Sequence, residues 1–247
     1  MTAIRTGPAL AIALLVSIPA MAQGSGAHAA RFTIRVENVS TLQTLTLSNG
    51  TTAPAPSAPI LWTISKTGNP PFTVGRPDRG QGLEALAEDG NPGVLNDYLT
   101  KHPAGILRHG LVNTPVGETA AGPIGPGQAY EFTVSAAPGE RLALAMMFVQ
   151  SNDLFYAFGD TGVALFDGKG VPLTADVTSQ LTLFDAGTEV NEEPGLGPNQ
   201  AHRQAGPNTG PDEHGTVRPV ADRFTYPKTR DVVRVTITPM MGQTATR

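Results

Sequence analysis

The sequence predicts a mostly β domain, an antiparallel β-sandwich with one or two short helices in a connection. Segments in which apolar and polar residues alternate recur along the chain, as half-buried strands require. Turn residues, mainly Gly, Pro and Asn, separate these segments at short intervals, which is typical of sandwich domains. A helical period replaces the alternation only between Gly82 and Leu99.

About eight strands are expected. The first begins at Phe32, and Asn49-Gly50 predicts a tight turn after the second. The segment from Leu142 to Val149 is apolar on both faces, so it predicts a central strand that is covered on both sides. The predicted strands span residues 32–36, 42–47, 60–64, 130–134, 142–149, 163–166, 180–184 and 232–238.

The helical region divides into two short helices. Asp89-Gly90 interrupts the pattern, and Asn91 is the expected cap of a second helix whose first residue is Pro92. The apolar positions that define the inner faces are Leu83, Leu86, Ala87, Leu95, Tyr98 and Leu99.

The first 22 residues have the pattern of a secretory signal peptide. Arg5 is the lone cation, an apolar stretch runs from Ala9 to Ile18, and Ala20-Met21-Ala22 predicts the cleavage site. The apolar stretch is too short for a comfortable transmembrane span, so we expect no transmembrane anchor. The remaining chain is interpreted as a flexible lead-in at 23–30, one domain at 31–240 and a tail at 241–247.

The composition of the chain makes two classes of binding partner poor candidates. The chain has no cysteine and a formal net charge of −4, and its basic residues are not clustered. Nucleic acid and anionic membrane surfaces are therefore poor candidates, because both are recognised by concentrated Lys and Arg. An exported chain without disulfides relies on its core, with or without a bound metal.

Known catalytic signatures are absent from the sequence. It has no Gly-x-Ser-x-Gly elbow, no phosphate-binding loop, no His-Glu-x-x-His and no cysteine nucleophile. We therefore expect a protein that is not an enzyme. The alternative is a hydrolase that uses the carboxylates of Asp185, Glu189 and Glu193, with or without a metal-activated water.

Acidic residues follow two of the predicted strands. Asp153 comes shortly after 142–149, and Asp185 comes directly after 180–184, with Glu189 four residues further on. If the ends of these strands are neighbours, the carboxylates converge and can hold calcium, which prefers oxygen ligands from flexible loops. The alternative is that each acid is separately solvated.

The histidines offer a second candidate site. His202 and His214 flank Asp212 and Glu213 and could form a transition-metal site with them, although the spacing matches no zinc pattern. All four lie between Asn191 and Val220, where periodicity is lost and a long loop is expected. We interpret them as solvated loop residues.

Three segments, in this order, resemble the spondin N-terminal domain family: residues 82–90, residues 146–155 and Asp185-Ala186-Gly187-Thr188-Glu189. The resemblance covers roughly residues 31–240. It implies a sandwich related to C2 domains, with a calcium ion held by loop carboxylates at one end and no enzymatic activity. It also implies Asp153 and Asp185 as calcium ligands and Glu189 as a third acid of the site.

These expectations combine into one functional hypothesis. The chain is predicted to be an exported calcium-binding module for binding or adhesion in the periplasm or extracellular space. Its partner is expected to be a protein or glycan ligand at the cell envelope. A purely structural envelope protein with solvated acids is the remaining alternative.

Overall fold

The structure is a computed structural model that describes residues 28–67, 71–103 and 105–240. The predicted signal peptide (1–22), most of the lead-in (23–30) and the tail (241–247) lie outside the described residues. The described part of the chain contains mostly β-strands with two α-helices, which confirms the predicted fold class. No helix within it is long and apolar enough to cross a membrane.

The elements are short and numerous. The strands are β1 (Ala30–Asn38), β2 (Leu45–Thr46), β3 (Thr52–Ala53), β4 (Ile60–Ser65), β5 (Ile106–Val112), β6 (Ala129–Ala136), β7 (Arg141–Met147), β8 (Leu154–Phe158), β9 (Val163–Ala164), β10 (Ala175–Asp176), β11 (Leu181–Asp185), β12 (Arg218–Pro219) and β13 (Val233–Pro239). The α-helices are α1 (Leu83–Asp89) and α2 (Gly93–Lys101), and 3₁₀ turns lie at Thr178–Gln180 and Thr229–Asp231.

One sheet has four strands in the order β10-β13-β1-β6, all antiparallel. Ile34 of β1 lies opposite Ile237 of β13 on one side and Phe132 of β6 on the other. The alternating apolar side chains of β1, from Phe32 to Val36, are fully buried, as the period-two pattern predicts.

The second sheet has seven strands in the order β12-β11-β8-β7-β4-β5, with β9 also paired to β7. The strand β7 lies between β8 and β4, and every residue from Leu142 to Met147 is buried. The prediction of a central strand at 142–149 is therefore confirmed. Its two apolar faces meet two different layers of the protein.

The layer between the two sheets forms the main core. Tyr130 from the four-stranded sheet and Leu144 and Tyr156 from the seven-stranded sheet belong to one continuous apolar cluster. The opposite face of the seven-stranded sheet is covered by the helices, where Leu86 and Leu95 join a second cluster with Phe155. The arrangement is a sandwich with the two helices packed outside one sheet.

The helices follow the predicted pattern closely. Gly90, with φ of 63°, ends α1 at the predicted break. The second helix begins at Gly93, one residue later than expected, because Pro92 occupies the N-cap position. Asn91 still caps the first turn, since its Oδ1 accepts the Gly93 N–H at 3.0 Å.

Two predicted strands are shorter than expected. Leu42 is 64% exposed, and only Leu45–Thr46 of the run 42–47 forms a strand, in a hairpin with β3. The predicted turn is present, because the Gly50 N–H donates to the Leu47 carbonyl at 3.0 Å. Of the run 163–166, only Val163–Ala164 pairs with β7.

Five strands were missed by the pattern analysis: β3, β10 and β12, which have two residues each, and the longer strands β5 and β8. The strand β8 is buried at all five positions, so it shows no alternation, and it begins directly after Asp153. The strand β5 contains Gly110, which lowers strand propensity. A Cβ at Gly110 would lie 2.9 Å from the Trp62 ring, so the glycine is needed for the indole to pack across β5.

A matched pair of buried tyrosines provides a stability test. The Tyr130 hydroxyl donates to the Gly122 carbonyl, whereas the hydroxyl of the equally buried Tyr156 has no hydrogen-bond partner in residues 28–67, 71–103 and 105–240. Tyr130→Phe should lower the free energy of unfolding by about 0.5–1.5 kcal/mol. Tyr156→Phe should leave it unchanged or raise it, because it removes an unpaired buried polar group. Urea unfolding measures both, and an equal loss in the two variants would contradict the assignment.

Candidate metal centre

Strand pairing brings the predicted site residues to one end of the seven-stranded sheet. Asp185 is the last residue of β11 and lies directly opposite Leu154, the first residue of β8. Asp153 immediately precedes Leu154, so the register of β8 and β11 puts the two aspartates side by side. On the other side of β11, Asp185 lies opposite Arg218 of β12.

Three carboxylates converge at this point. Asp153, Asp185 and Glu213 each offer an oxygen, and these oxygens lie within 4.8 Å of one another. Two ligands of one calcium ion lie at most about 5 Å apart, because each is about 2.3–2.6 Å from the ion. The spacing of the three oxygens is therefore compatible with a shared ion.

The most deeply buried member of the trio is Asp153, whose side chain is fully buried. Its Oδ2 accepts the N–H groups of Thr188 at 3.1 Å and Glu189 at 3.2 Å. Its Oδ1 is buried and has no hydrogen-bond partner among the described residues. Burial, followed by the neighbouring charge of Asp185, raises the pKa of Asp153. Buried polar atoms are normally hydrogen-bonded, so this oxygen is an exception that a ligand would remove.

Both carboxylate oxygens of Asp185 have hydrogen-bond partners, unlike those of Asp153. Its Oδ1 accepts the Gly187 N–H at 2.7 Å, and its Oδ2 accepts from the Asn191 side-chain amide at 2.8 Å and from Arg218 at 2.7 Å. Burial still raises its pKa, although Arg218 and the hydrogen bonds act in the opposite direction. The side-chain oxygen of Asn191 is itself buried without a partner.

Arg218 is a built-in counter-ion of the trio. Its Nη2 donates to Asp185 at 2.7 Å and to Glu213 at 2.6 Å, and the side chain is 35% exposed. It reaches only part of the site, because Glu213 Oε2 and Asp153 Oδ1 are both buried and have no hydrogen-bond partner within the described part of the chain. The three negative charges of the carboxylates and the one positive charge of Arg218 leave two negative charges, which a divalent cation would balance.

Glu189, the third predicted ligand, lies outside this trio. Its Oε1 accepts the Gly210 N–H at 2.8 Å, and its Oε2 accepts from the Asn152 amide at 3.2 Å. A Cβ at Gly210 would lie 2.3 Å from that carboxylate, so the contact depends on glycine. Glu189 connects the long loop to the end of β11 through this hydrogen bond. Glu213 is the third member of the trio in its place.

Glu213 was considered in the sequence only as part of a histidine site. In the described residues, the trio is the single group of three potential ligands close enough to share an ion, and it includes no histidine. The His214 side chain is 83% exposed and lies 4.0 Å from Asp212. The structure therefore does not assemble the transition-metal site that was considered with His202 and Asp212.

The loop that carries Glu213 is held by polar contacts. Glu193 accepts from the Ser48 N–H and hydroxyl, each at 2.8 Å. Glu192 accepts from the N–H of Asn199 at 3.0 Å. The Glu193 bonds and the Glu189 anchor connect residues 191–220 to the sandwich, whereas the Glu192 bond lies within the loop. Among the described residues, Asp185, Glu189 and Glu193 do not form a group whose ligand atoms all lie within 4.8 Å of one another.

The site has the donors that a hard cation prefers. Carboxylate oxygens come from three separate segments, and the unpartnered oxygens of Asp153, Asn191 and Glu213 are all buried. Cations with oxygen preference, calcium above all, take six to eight such ligands in irregular geometry. The three carboxylates supply part of such a set, and their donor type is compatible with calcium.

The raised pKa of Asp153 predicts a pH-dependent stability in the metal-free protein. The folded state holds the proton more tightly than the unfolded state, so this contribution is present below the ordinary value of 3.8 and is lost as pH rises toward the folded-state pKa. Asp153→Asn removes this change of the unfolding free energy with pH. With chelator present, the variant should gain stability relative to wild type between about pH 5 and about pH 8, by roughly 1 kcal/mol or more.

Urea unfolding at several pH values measures this difference. Asp97→Asn is the matched control, because Asp97 is exposed on α2 and the substitution makes the same chemical change. Parallel pH profiles for wild type and Asp153→Asn would contradict the raised pKa.

Comparison of the chain with models of protein families gives no match. Comparison with curated proteins gives no match either. The resemblance to the spondin N-terminal domain family stays a prediction that rests on the three segments in the sequence.

Proposed function

We propose that this protein is an exported calcium-binding β-sandwich module that binds or adheres to a protein or glycan ligand at the cell envelope, without catalysis. One observation carries the calcium assignment: three carboxylate oxygens lie within 4.8 Å of one another, and Asp153 Oδ1 among them is buried without a partner. A cation at this point would satisfy an oxygen that nothing else in the described structure reaches.

Calcium suits this donor set better than the other common metals. Zinc and copper favour His and Cys ligands, and the trio contains neither. Magnesium demands near-octahedral geometry and keeps several waters, whereas calcium accepts irregular sets of loop oxygens. The trio is supplied by the end of one strand and by two loops, which is an irregular set.

The role of the ion follows from the segments that it would join. Asp153 belongs to the β7–β8 connection, Asp185 to β11 and Glu213 to the long loop. An ion shared among them would cross-link these three segments at one end of the sandwich. A surface ordered in this way is suited to binding a partner, since ordering before contact lowers the entropic cost of association.

Export is supported by the sequence alone. The pattern of residues 1–22 is that of a signal peptide, and the chain contains no cysteine that an oxidising compartment could pair wrongly. Extracellular calcium modules commonly have dissociation constants of about 10⁻⁴–10⁻³ M, because calcium is abundant outside the cytoplasm. We propose an affinity in this range.

Calcium should raise the thermal midpoint of the protein, because an ion that binds only the folded state stabilises it. At about 100 times the dissociation constant, the gain is about 2.7 kcal/mol. Glu213→Gln and Asp153→Asn should each weaken calcium binding about tenfold or more, since both remove a charged ligand. Isothermal titration calorimetry with calcium, and with magnesium for comparison, measures the affinities.

Glu189→Gln is the control for this experiment. It makes the same chemical change as Glu213→Gln, but Glu189 holds the Gly210 N–H instead of facing the trio. It should lower stability and leave the calcium affinity nearly unchanged. No calcium response in wild type would sink the proposal, and a reversed order of the two glutamates would reassign the third ligand to Glu189.

Arg218 should compete with calcium, because its guanidinium already binds two of the three carboxylates. Arg218→Met should lower the stability of the metal-free protein and tighten calcium binding by about tenfold, since a repelling charge near the ion is removed. Arg218→Lys keeps the charge and serves as the control. Weaker calcium binding in Arg218→Met would show instead that the arginine holds the carboxylates in place.

A further inference from the structure

A cleft of about 540 Å³ opens beside the metal centre. Its walls come from three parts of the chain: the segment before α1 together with α1 itself, Gly187-Thr188 after β11, and residues 208–215 of the long loop. Its volume lies within the range of small-ligand sites in proteins. Nothing in the calcium proposal uses it.

The walls of the cleft are acidic. Asp78, Glu84, Glu88 and Asp212 line it, and no lysine or arginine does so among the described residues. His214, at the rim, is the only other titratable side chain that lines it in the described part of the chain. The field inside such a concave acidic surface attracts cations.

Glu88 provides an independent indication of a missing ligand. Its side chain faces the cleft, yet the residue is only 2% exposed, and no ion pair to it is found among the described residues. Burial, then the charges of Glu189, Glu84 and Asp153, raise the pKa of Glu88 to about 8, and only the Thr188 side chain acts against this. Carboxylates this buried are normally paired with a cation.

The acids of the cleft do not form a compact metal site. Among the described residues, the one group of three potential ligands whose atoms all lie within 4.8 Å of one another is Asp153, Asp185 and Glu213, and no three acids of the cleft meet this condition. A larger cation with several N–H donors can reach acids that are spread over a wide cleft. Ammonium and guanidinium groups have this property.

We propose that this cleft binds an organic cation, an ammonium or guanidinium group carried on an extended stem, with Glu88 at its base and Glu84 and Asp212 at its walls. Such a group is supplied by a lysine or arginine side chain of a partner protein or by a free polyamine. The charged end pairs with Glu88, and the stem lies in the open part of the cleft. This site is separate from the calcium site and does not require it.

The test uses the full chain with chelator present, so that its outcome is independent of calcium. Two probes represent the two sources: a capped Gly-Lys-Gly tripeptide for the side chain and spermidine for the free amine. The same tripeptide with acetylated lysine is the uncharged control. Calorimetric titration should show binding of at least one cationic probe and none of the acetylated peptide.

Two variants locate the site. Glu88→Gln should weaken binding about tenfold or more, because it removes the carboxyl group that gives up its proton to pair with the cationic ligand. Asp212→Asn should weaken it about threefold, and this side chain is 60% exposed, so the variant folds even if Glu88→Gln does not. Glu131→Gln, on the exposed face of β6, is the control that should change nothing.

The outcomes separate the possibilities. Binding of the tripeptide alone identifies a protein-borne cation, and binding of spermidine alone or of both probes identifies free amines as ligands. The proposal is overturned if neither cation binds at millimolar concentration, if the acetylated peptide binds equally well, or if Glu88→Gln and Asp212→Asn both bind like wild type. None of these results depends on whether calcium binds at Asp153.

Discussion

The antiparallel pairing of β11 with β8 and β12 is the constraint on which the candidate sites depend. It fixes Asp185 opposite Leu154 and opposite Arg218, so that two acids and their counter-ion meet without any long-range adjustment. A shift of one residue in either register would turn Asp185 to the other face of the sheet. The hydrophobic side chains of β8 and β11 prevent this, because both strands are buried against the core.

The burial of two acidic side chains determines the electrostatic properties of this end of the sandwich. Asp153 and Glu88 are almost completely buried. Within the described residues, neither carboxyl group forms an ion pair with a lysine or arginine side chain. Charges in this state cost stability. A fold selected for stability alone would replace them with apolar residues of similar size. The proposed calcium ion and organic cation would offset this cost in the folded protein.

Much of the architecture could be predicted from the sequence, because the spacing of apolar residues along a strand or helix shows which of its side chains are buried. The strand at Phe32, the doubly covered strand after Leu142 and the helical break at Gly90 follow from local pattern. The meeting of Asp153 with Asp185 was predicted only as a condition, since pairing between strands is a long-range property. Glu213 could not be selected, because it lies in a loop without periodicity whose course is set by contacts such as that of Glu189 with Gly210.

One thin partition separates the acidic trio from the acidic cleft. Residues 187–188 and 213–215 form it, held together by bonds from the Gly215 N–H to the Gly187 carbonyl at 2.7 Å and from the Glu213 N–H to the Thr188 carbonyl at 2.9 Å. One face of the partition carries Glu213 toward the trio, and the other face lines the cleft. A displacement of this partition by a ligand on one side would change the affinity for a ligand on the other side, and the effect would be equal in both directions. Binding of the proposed calcium ion would then depend on whether the cleft is occupied, although the two sites have no ligand residue in common.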